Sequence, residues 1–295
     1  MFRFIQWIGL AILVSGATPA LAGDAFQPGP EEVRVVDVTP EAGAPAEIRL
    51  YLPGDGHQAR PLVYFNHGFL VQNQFYSRLL TRIAGHGYVV VSPMMYSRGV
   101  LPIGKPSFSE EAALGREILH WAREEAPEQF GYRLDGGRIG LAGHSRGGLI
   151  AWMMAAGLPE VAAVAGIDPV DKNGNKKLTD HALAGAASLT IGTGLESSCR
   201  PAGSNYVNFY GATHHAHPAW QILAEGYGHM DMLDRSCGLP CSMCSSGTGS
   251  ADRLIQVAAG GTVALFDEFL KGESSAGFTM ELFLQEQEEF RLQRK

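Results

Sequence analysis

One stretch narrows the possible folds more than any other. Arg138-Ile139-Gly140-Leu141-Ala142 has strand character, and residues 148–156 carry helical spacing. Between them lies Gly143-His144-Ser145-Arg146-Gly147, a Gly-x-Ser-x-Gly sequence. A strand that enters a helix through so short a turn forces the serine into a strained backbone. Residues without a Cβ are then needed on either side of it to avoid clashes. The turn lifts the Ser145 hydroxyl above the end of a sheet and aims helix N–H groups at it. The bare motif recurs by chance. With a strand before it and a helix after it, it marks Ser145 as a nucleophile rather than a turn hydroxyl.

The rest of the chain supplies the sheet. Residues 33–38 and 46–52 alternate in part and read as two antiparallel strands. Residues 62–65, 88–91, 161–167, 187–191 and 220–224 are short apolar runs of the kind buried on both faces of a sheet. Helical spacing runs over 75–87, closed by Gly87 as a C-cap, and over 110–125 and 254–270. Strands alternating with helices define an α/β chain with a mostly parallel central sheet and helices on both faces.

The first residues read as a leader. Arg3 gives a positive start, residues 4–17 are mostly apolar, and Ala20-Leu21-Ala22 suits signal cleavage. That apolar run is shorter than the roughly 20 residues a membrane span needs, and no later run is long enough. The expected organisation is a signal peptide at 1–22 and one domain at 23–295, exported to a periplasmic, thylakoid-lumenal or extracellular space. A net charge of −7 argues against nucleic acid or an anionic membrane as partner. Four cysteines, Cys199, Cys237, Cys241 and Cys244, suit two disulfides in an exported chain, with three pairings open. Cys241-Ser-Met-Cys244 has C-x-x-C spacing, but no second pair or histidine cluster completes a zinc site. No metal and no cofactor are expected. Residues 171–175 lack the terminal glutamate of a calcium loop and read as a turn.

A serine hydroxyl needs a base. His181, His214, His215, His217 and His229 all follow Ser145. His229 stands out, in a Gly-Tyr-Gly-His turn after a short strand, where a loop can aim its ring at the serine. His144 reads as support beneath the turn, and His67 as support for its own loop. The acid that orients the base should lie between the serine and the histidine. Asp168, Glu196 and Asp171 all fit, and Asp168 is mildly favoured because a strand ends abruptly on it. Asp231 and Asp234 read as solvated or helix-capping. The oxyanion needs two backbone N–H donors. Arg146 follows the serine, and Phe69 lies in Asn66-His67-Gly68-Phe69 after the third strand. Leu70, Phe75 and Met94, with Met95 and Tyr96, lie in loops that could line an apolar substrate cleft.

Several separate stretches together resemble the chlorophyllase family of α/β-hydrolases. They are Asn66-His67-Gly68-Phe69-Leu70 with Phe75-Tyr76-Ser77; Gly143-His144-Ser145-Arg146-Gly147-Gly148; Gly166-Ile167-Asp168-Pro169-Val170-Asp171; Ile191-Gly192-Thr193-Gly194-Leu195; and Tyr227-Gly228-His229-Met230-Asp231-Met232-Leu233-Asp234. The elbow with Arg146 and the Gly-His-Met-Asp-Met-Leu-Asp stretch are the specific parts. This sequence has Leu149 where a lysine often follows the glycine pair. The resemblance implies the α/β-hydrolase fold and a Ser145–His229–Asp168 triad, which resolves the acid. It also implies hydrolysis of the phytyl ester of chlorophyll to chlorophyllide and phytol, with a hydrophobic ester as partner. The rival readings are a broad lipase or cutinase-like polyester esterase, transfer of the acyl group to another alcohol, and a non-catalytic pigment- or lipid-binding protein on the same scaffold.

Overall fold

The computed structural model describes residues 24–95, 106–171, 178, 183, 185–213, 217–235 and 238–295. The expected signal segment, Tyr96, most of the turn at 171–175, His181, His214, His215 and Cys237 lie outside them.

Among the described residues nine strands form one sheet, in the order β1-β2-β5-β4-β7-β8-β9-β10-β11. They are β1 (Val33–Val38), β2 (Ile48–Pro53), β4 (Leu62–Asn66), β5 (Val89–Pro93), β7 (Ile139–His144), β8 (Val161–Ile167), β9 (Ala187–Thr193), β10 (Ala219–Ala224) and β11 (Phe290–Arg294). The short strands β3 (Ala59–Arg60) and β6 (Arg133–Leu134) pair separately. From β5 to β10 every neighbouring pair is parallel. The pairs β1–β2, β2–β5 and β10–β11 are antiparallel.

The central strands are buried throughout because helices cover both faces, and the two-residue period of a strand divides its side chains between two cores. Val63 and Phe65 join one core with Leu79, Leu80 and Leu254. There they meet α1 (Ser77–Gly85) and α7 (Ala251–Phe266). Leu62 and Tyr64 join the other with Ile118 and Ile150. That face carries α2 (Phe108–Glu124) and α4 (Arg146–Ala155). Helix α2 begins at a capping box: the Ser107 hydroxyl accepts from the Glu110 N–H, and the Glu110 carboxylate accepts from the Ser107 N–H. Such a cap contributes about 1 kcal/mol.

Strand order reverses between β4 and β7. Strand β4 leads through α1 to β5 on one side, while β7 leads through α4 to β8 on the other. The carboxyl ends of β4 and β7 therefore border a crevice, the usual ligand site of such sheets. This is the α/β-hydrolase arrangement.

The expected elements are present with shifted ends. Strand β7 continues to His144 because its pairing with β8 extends to Ile167. The helix after it begins at Arg146 rather than at 148. The long helix expected at 254–270 is α7 followed by one π turn, Asp267–Lys271, closed by Gly272 in the left-handed region. Elements not anticipated are α3 (Ala126–Phe130), α5 (Tyr206–Gly211), α6 (Leu239–Ser242), α8 (Ala276–Gln285) and the edge strand β11.

Candidate active site

Ser145 sits between β7 and α4 with φ 55° and ψ −122°. Only Leu70 and Asp168 share a positive φ among the described non-glycine residues. The two glycines of the motif make the turn possible. A Cβ on Gly147 would lie 2.1 Å from the Asn66 carbonyl oxygen, and one on Gly143 would lie 2.3 Å from that of Gly147. The turn is held by the Ser145 N–H donating to the Ile167 carbonyl at 3.0 Å.

His229 reaches this hydroxyl from the loop after β10. Its Nε2 is 2.9 Å from Ser145 Oγ, and its Nδ1 is 2.7 Å from Asp168 Oδ2. A neutral imidazole with its proton on Nδ1 satisfies both contacts, donating to the carboxylate and accepting from the hydroxyl. Asp168 ends β8 fully buried. Its other partners are the Thr193 N–H at 3.0 Å and the Thr193 hydroxyl at 2.6 Å. Glu196 is exposed. Asp231 laces the His229 loop, accepting from the Gly228 and Gly247 N–H groups at 2.7 Å each. Asp234 accepts from the Arg78 N–H at the start of α1.

Two further histidines buttress the site. His67 donates from Nδ1 to its neighbour's carbonyl at Gly68, 2.8 Å away, and its Nε2 accepts from the Met95 N–H at 3.0 Å. Burial lowers its pKa from the usual histidine value to about 4. His144 is held neutral too, well below the usual histidine range, by burial first and by the neighbouring His229 second. The Gly68 N–H donates to the Tyr76 oxygen at 3.0 Å, and the Tyr76 O–H donates to His144 Nδ1 at 2.7 Å. His144 Nε2 then donates to the His229 carbonyl at 3.0 Å. One continuous path thus joins the loop after β4 to the loop that carries His229.

Above Ser145 opens a cleft of about 880 Å³, lined by Phe69, Leu70, Phe108, Val170, Met230 and Met243 among others. Leu70 is where the sequence placed it. Phe75 and Met94 are not among the lining residues. Phe75 packs against the core beneath the Arg235 guanidinium, and Met94 is buried where β5 leaves the sheet. Both lie in loops after strands, as expected, but packing turns them away from the cleft. Phe69 and Arg146 flank Ser145, the latter as the first residue of α4. The first N–H groups of a helix have no acceptor within it, and the Arg146 amide is one of them.

Sequence reasoning missed several neighbours. The Arg146 side chain donates from Nε to Glu111 at 2.8 Å and from Nη2 to the Pro106 carbonyl at 2.9 Å. Its guanidinium carbon lies 4.0 Å from the Phe108 ring centre, which fixes the start of α2 as a wall of the cleft. Glu111 and Arg146 are 35 positions apart, and no periodicity links them. Arg200, almost fully buried, lies 3.5 Å from Asp168 Oδ2 through Nε. A disulfide joins Cys199 to Cys244 in the cleft wall. Cys241 is disulfide-bonded as well. Among the described residues no cluster of His, Cys, Asp and Glu could hold a metal ion, and no helix is long and apolar enough to cross a membrane.

Comparison with known proteins agrees with this architecture. The chlorophyllase family model matches residues 21–288. Chlorophyllase-2 of Arabidopsis thaliana is 30% identical over 72% of this chain and 74% of its own length. Chlorophyllase-1 of the same plant is 30% identical over 88% of this chain and 87% of its own. The chloroplastic chlorophyllase-1 of Citrus sinensis is 25% identical over 90% and 85% respectively. The match runs from ahead of the first strand to beyond the last long helix and takes in every loop that meets at Ser145. The chain belongs to the chlorophyllase family.

Proposed function

We propose that this protein is an exported serine esterase that hydrolyses the phytyl ester of chlorophyll to chlorophyllide and phytol. The observation that carries the reading is the hydrogen-bonded line Ser145–His229–Asp168 at the floor of an apolar cleft, in a chain of this family. The triad assignment of these three residues, and the oxyanion role of the Phe69 and Arg146 N–H groups, are part of the proposal. So are cleavage after Ala22 and a single catalytic domain at 23–295.

The geometry supports acyl transfer. Ser145 Oγ attacks the ester carbonyl carbon as its proton passes to His229 Nε2, and the carbonyl oxygen becomes an oxyanion held by the two backbone N–H groups. The buried Asp168 carboxylate stabilises the imidazolium. The carbon–oxygen bond to the alcohol then breaks, and His229 returns the proton to the departing alkoxide. Water next attacks the acyl-serine, giving its proton to His229, and Ser145 leaves with that proton restored. For chlorophyll the alcohol is phytol and the acid is chlorophyllide. The apolar walls suit a long hydrocarbon alcohol, whose transfer out of water favours binding by about 0.8 kcal/mol per buried CH₂.

The test is incubation of purified protein with chlorophyll and separation of the pigments by polarity. Chlorophyllide should accumulate, and Ser145→Ala should lower the rate by at least about 10³-fold. Turnover of a short p-nitrophenyl ester without chlorophyllide would assign a broad esterase instead. Pigment binding with neither activity would assign a non-catalytic carrier. N-terminal sequencing of the exported protein should begin at Gly23.

A further inference from the structure

Arg200 is 2% exposed, among the largest fully buried side chains of the protein. A guanidinium kept from water needs a counter-ion. Its Nε lies 3.5 Å from Asp168 Oδ2, and neither Nε nor Nη2 makes a hydrogen bond. Among the described residues its further support is the Tyr206 ring, 5.5 Å from the guanidinium carbon. Asp168 already accepts hydrogen bonds from the Thr193 N–H, the Thr193 hydroxyl and His229. The carboxylate is therefore held in place without Arg200. What Arg200 adds is charge.

We propose that Arg200 is a positioning residue that acts on the base through the acid. It is a buried cation, pinned by the Cys199–Cys244 disulfide, that shares the Asp168 carboxylate with His229 and keeps the imidazole free to accept a proton at lower pH. The inference rests on reading Ser145, His229 and Asp168 as the triad. A carboxylate beside an imidazole favours the protonated ring, and a second cation on the same carboxylate opposes it.

Among the described residues, the other groups around the pair leave this role to Arg200. His144, 4.6 Å from His229 between ring centres, and His67 behind it are held neutral. Tyr206 is pushed up by burial and stays neutral. Asp171 is buried in the turn after Asp168, its N–H given to the Ser204 carbonyl. Glu196 is exposed, and Glu225 is exposed and paired with Arg291.

The segment that carries Arg200 is laced to a neighbouring one. Cys199 bonds Cys244, the Ser198 hydroxyl donates to the Met243 carbonyl at 3.1 Å, and the Ser245 hydroxyl donates to the Glu196 carbonyl at 2.9 Å. The covalent link is made at the residue before Arg200. Opening it releases one restraint on the segment, which the Arg200 N–H also holds by donating to the Ser197 carbonyl at 3.1 Å.

The experiment is the pH profile of kcat/KM on a soluble p-nitrophenyl ester. Arg200→Met should move the acidic limb up by about one pH unit, and Arg200→Lys should restore most of the displacement. The paired change Cys199→Ser with Cys244→Ser should move the limb the same way and add little to Arg200→Met. A folded Arg200→Met with its limb in place, whatever its kcat, overturns the proposal. If Arg200→Met does not fold, Arg200→Gln takes its place, and an unmoved limb there overturns the proposal equally. Ser145→Ala separates the two layers. Residual full activity there removes the triad itself, whereas an inactive Ser145→Ala with an unmoved Arg200→Met limb removes only the role of Arg200.

Discussion

His144 fills the variable position before the serine, and its side chain spans two loops that must hold register to within a fraction of an ångström. One ring nitrogen receives the Tyr76 hydroxyl, which in turn anchors the Gly68 N–H next to Phe69, and the other holds the His229 carbonyl. Substitution by an apolar residue leaves both loops packed but unregistered. In the proposed mechanism, loss of one oxyanion donor costs about 10²–10³ in kcat, and a displaced donor costs part of that. His144→Leu should therefore lower kcat by about 10- to 100-fold with KM little changed, and Tyr76→Phe by less. Steady-state kinetics on a soluble ester decide it, and a change in KM alone would contradict the account. The supporting role of His144 was legible from the motif. Its partners were not, because Tyr76 is 68 positions away and only the closed sheet brings them together.

Among the elements, those with apolar faces on the sheet were readable and those at its margins were not. Strands β1 and β8 have the bounds the sequence suggested, since a continuous or alternating apolar run has few other ways to be buried. Strand β11 reads Phe290-Arg291-Leu292-Gln293-Arg294, and as an edge it keeps polar side chains that mask the pattern. Helix α8 has a weak cap and leaves Phe278 exposed. Ser145 and Asp168 fall at strand ends, where an abrupt change of pattern marks them, and His229 in a Gly-Tyr-Gly-His turn after a short strand. The acid stayed open until family resemblance chose Asp168, since the contact that distinguishes it from Glu196 is made across the sheet. The Cys199–Cys244 bond was one of three possible pairings. It closes a loop with a sequence separation of 45, for which chain entropy gives about 4 kcal/mol of stability. Replacing both cysteines by serine should lower the urea midpoint accordingly. An unchanged midpoint would show that the hydrogen bonds around it suffice.

At the scale of the whole molecule, the two neutral histidines make stability depend on pH. His67 titrates near the ordinary histidine value of 6.5 when unfolded and near 4 when folded. Below about 6.5 the unfolded chain takes up a proton that the folded one refuses, so stability is full above that pH and declines toward 4. The loss for His67 alone is about 3 kcal/mol, and His144 adds to it in the same direction. Asp234, half-buried with its pKa raised by burial, opposes this in the carboxylate range by less. Urea midpoints at pH 7.5 and pH 5 should fall in that order, and a flat profile would mean the two rings are charged in the folded state.

The walls of the cleft and the frame of the sheet belong to different stretches of chain. Phe69, Leu70 and Met243 come from excursions between elements and Phe108 from the first turn of α2, and none takes part in a sheet ladder. Ser145 and Asp168 stand at the ends of strands that those ladders hold, and His229 in the loop that follows β10. What the protein admits and what it does to the admitted molecule are thus written in separable text. On the proposed esterase reading, exchanging the residues that wall the cleft should retune the choice of alcohol, while the 2.9 Å contact between serine and histidine serves one ester as it serves the next.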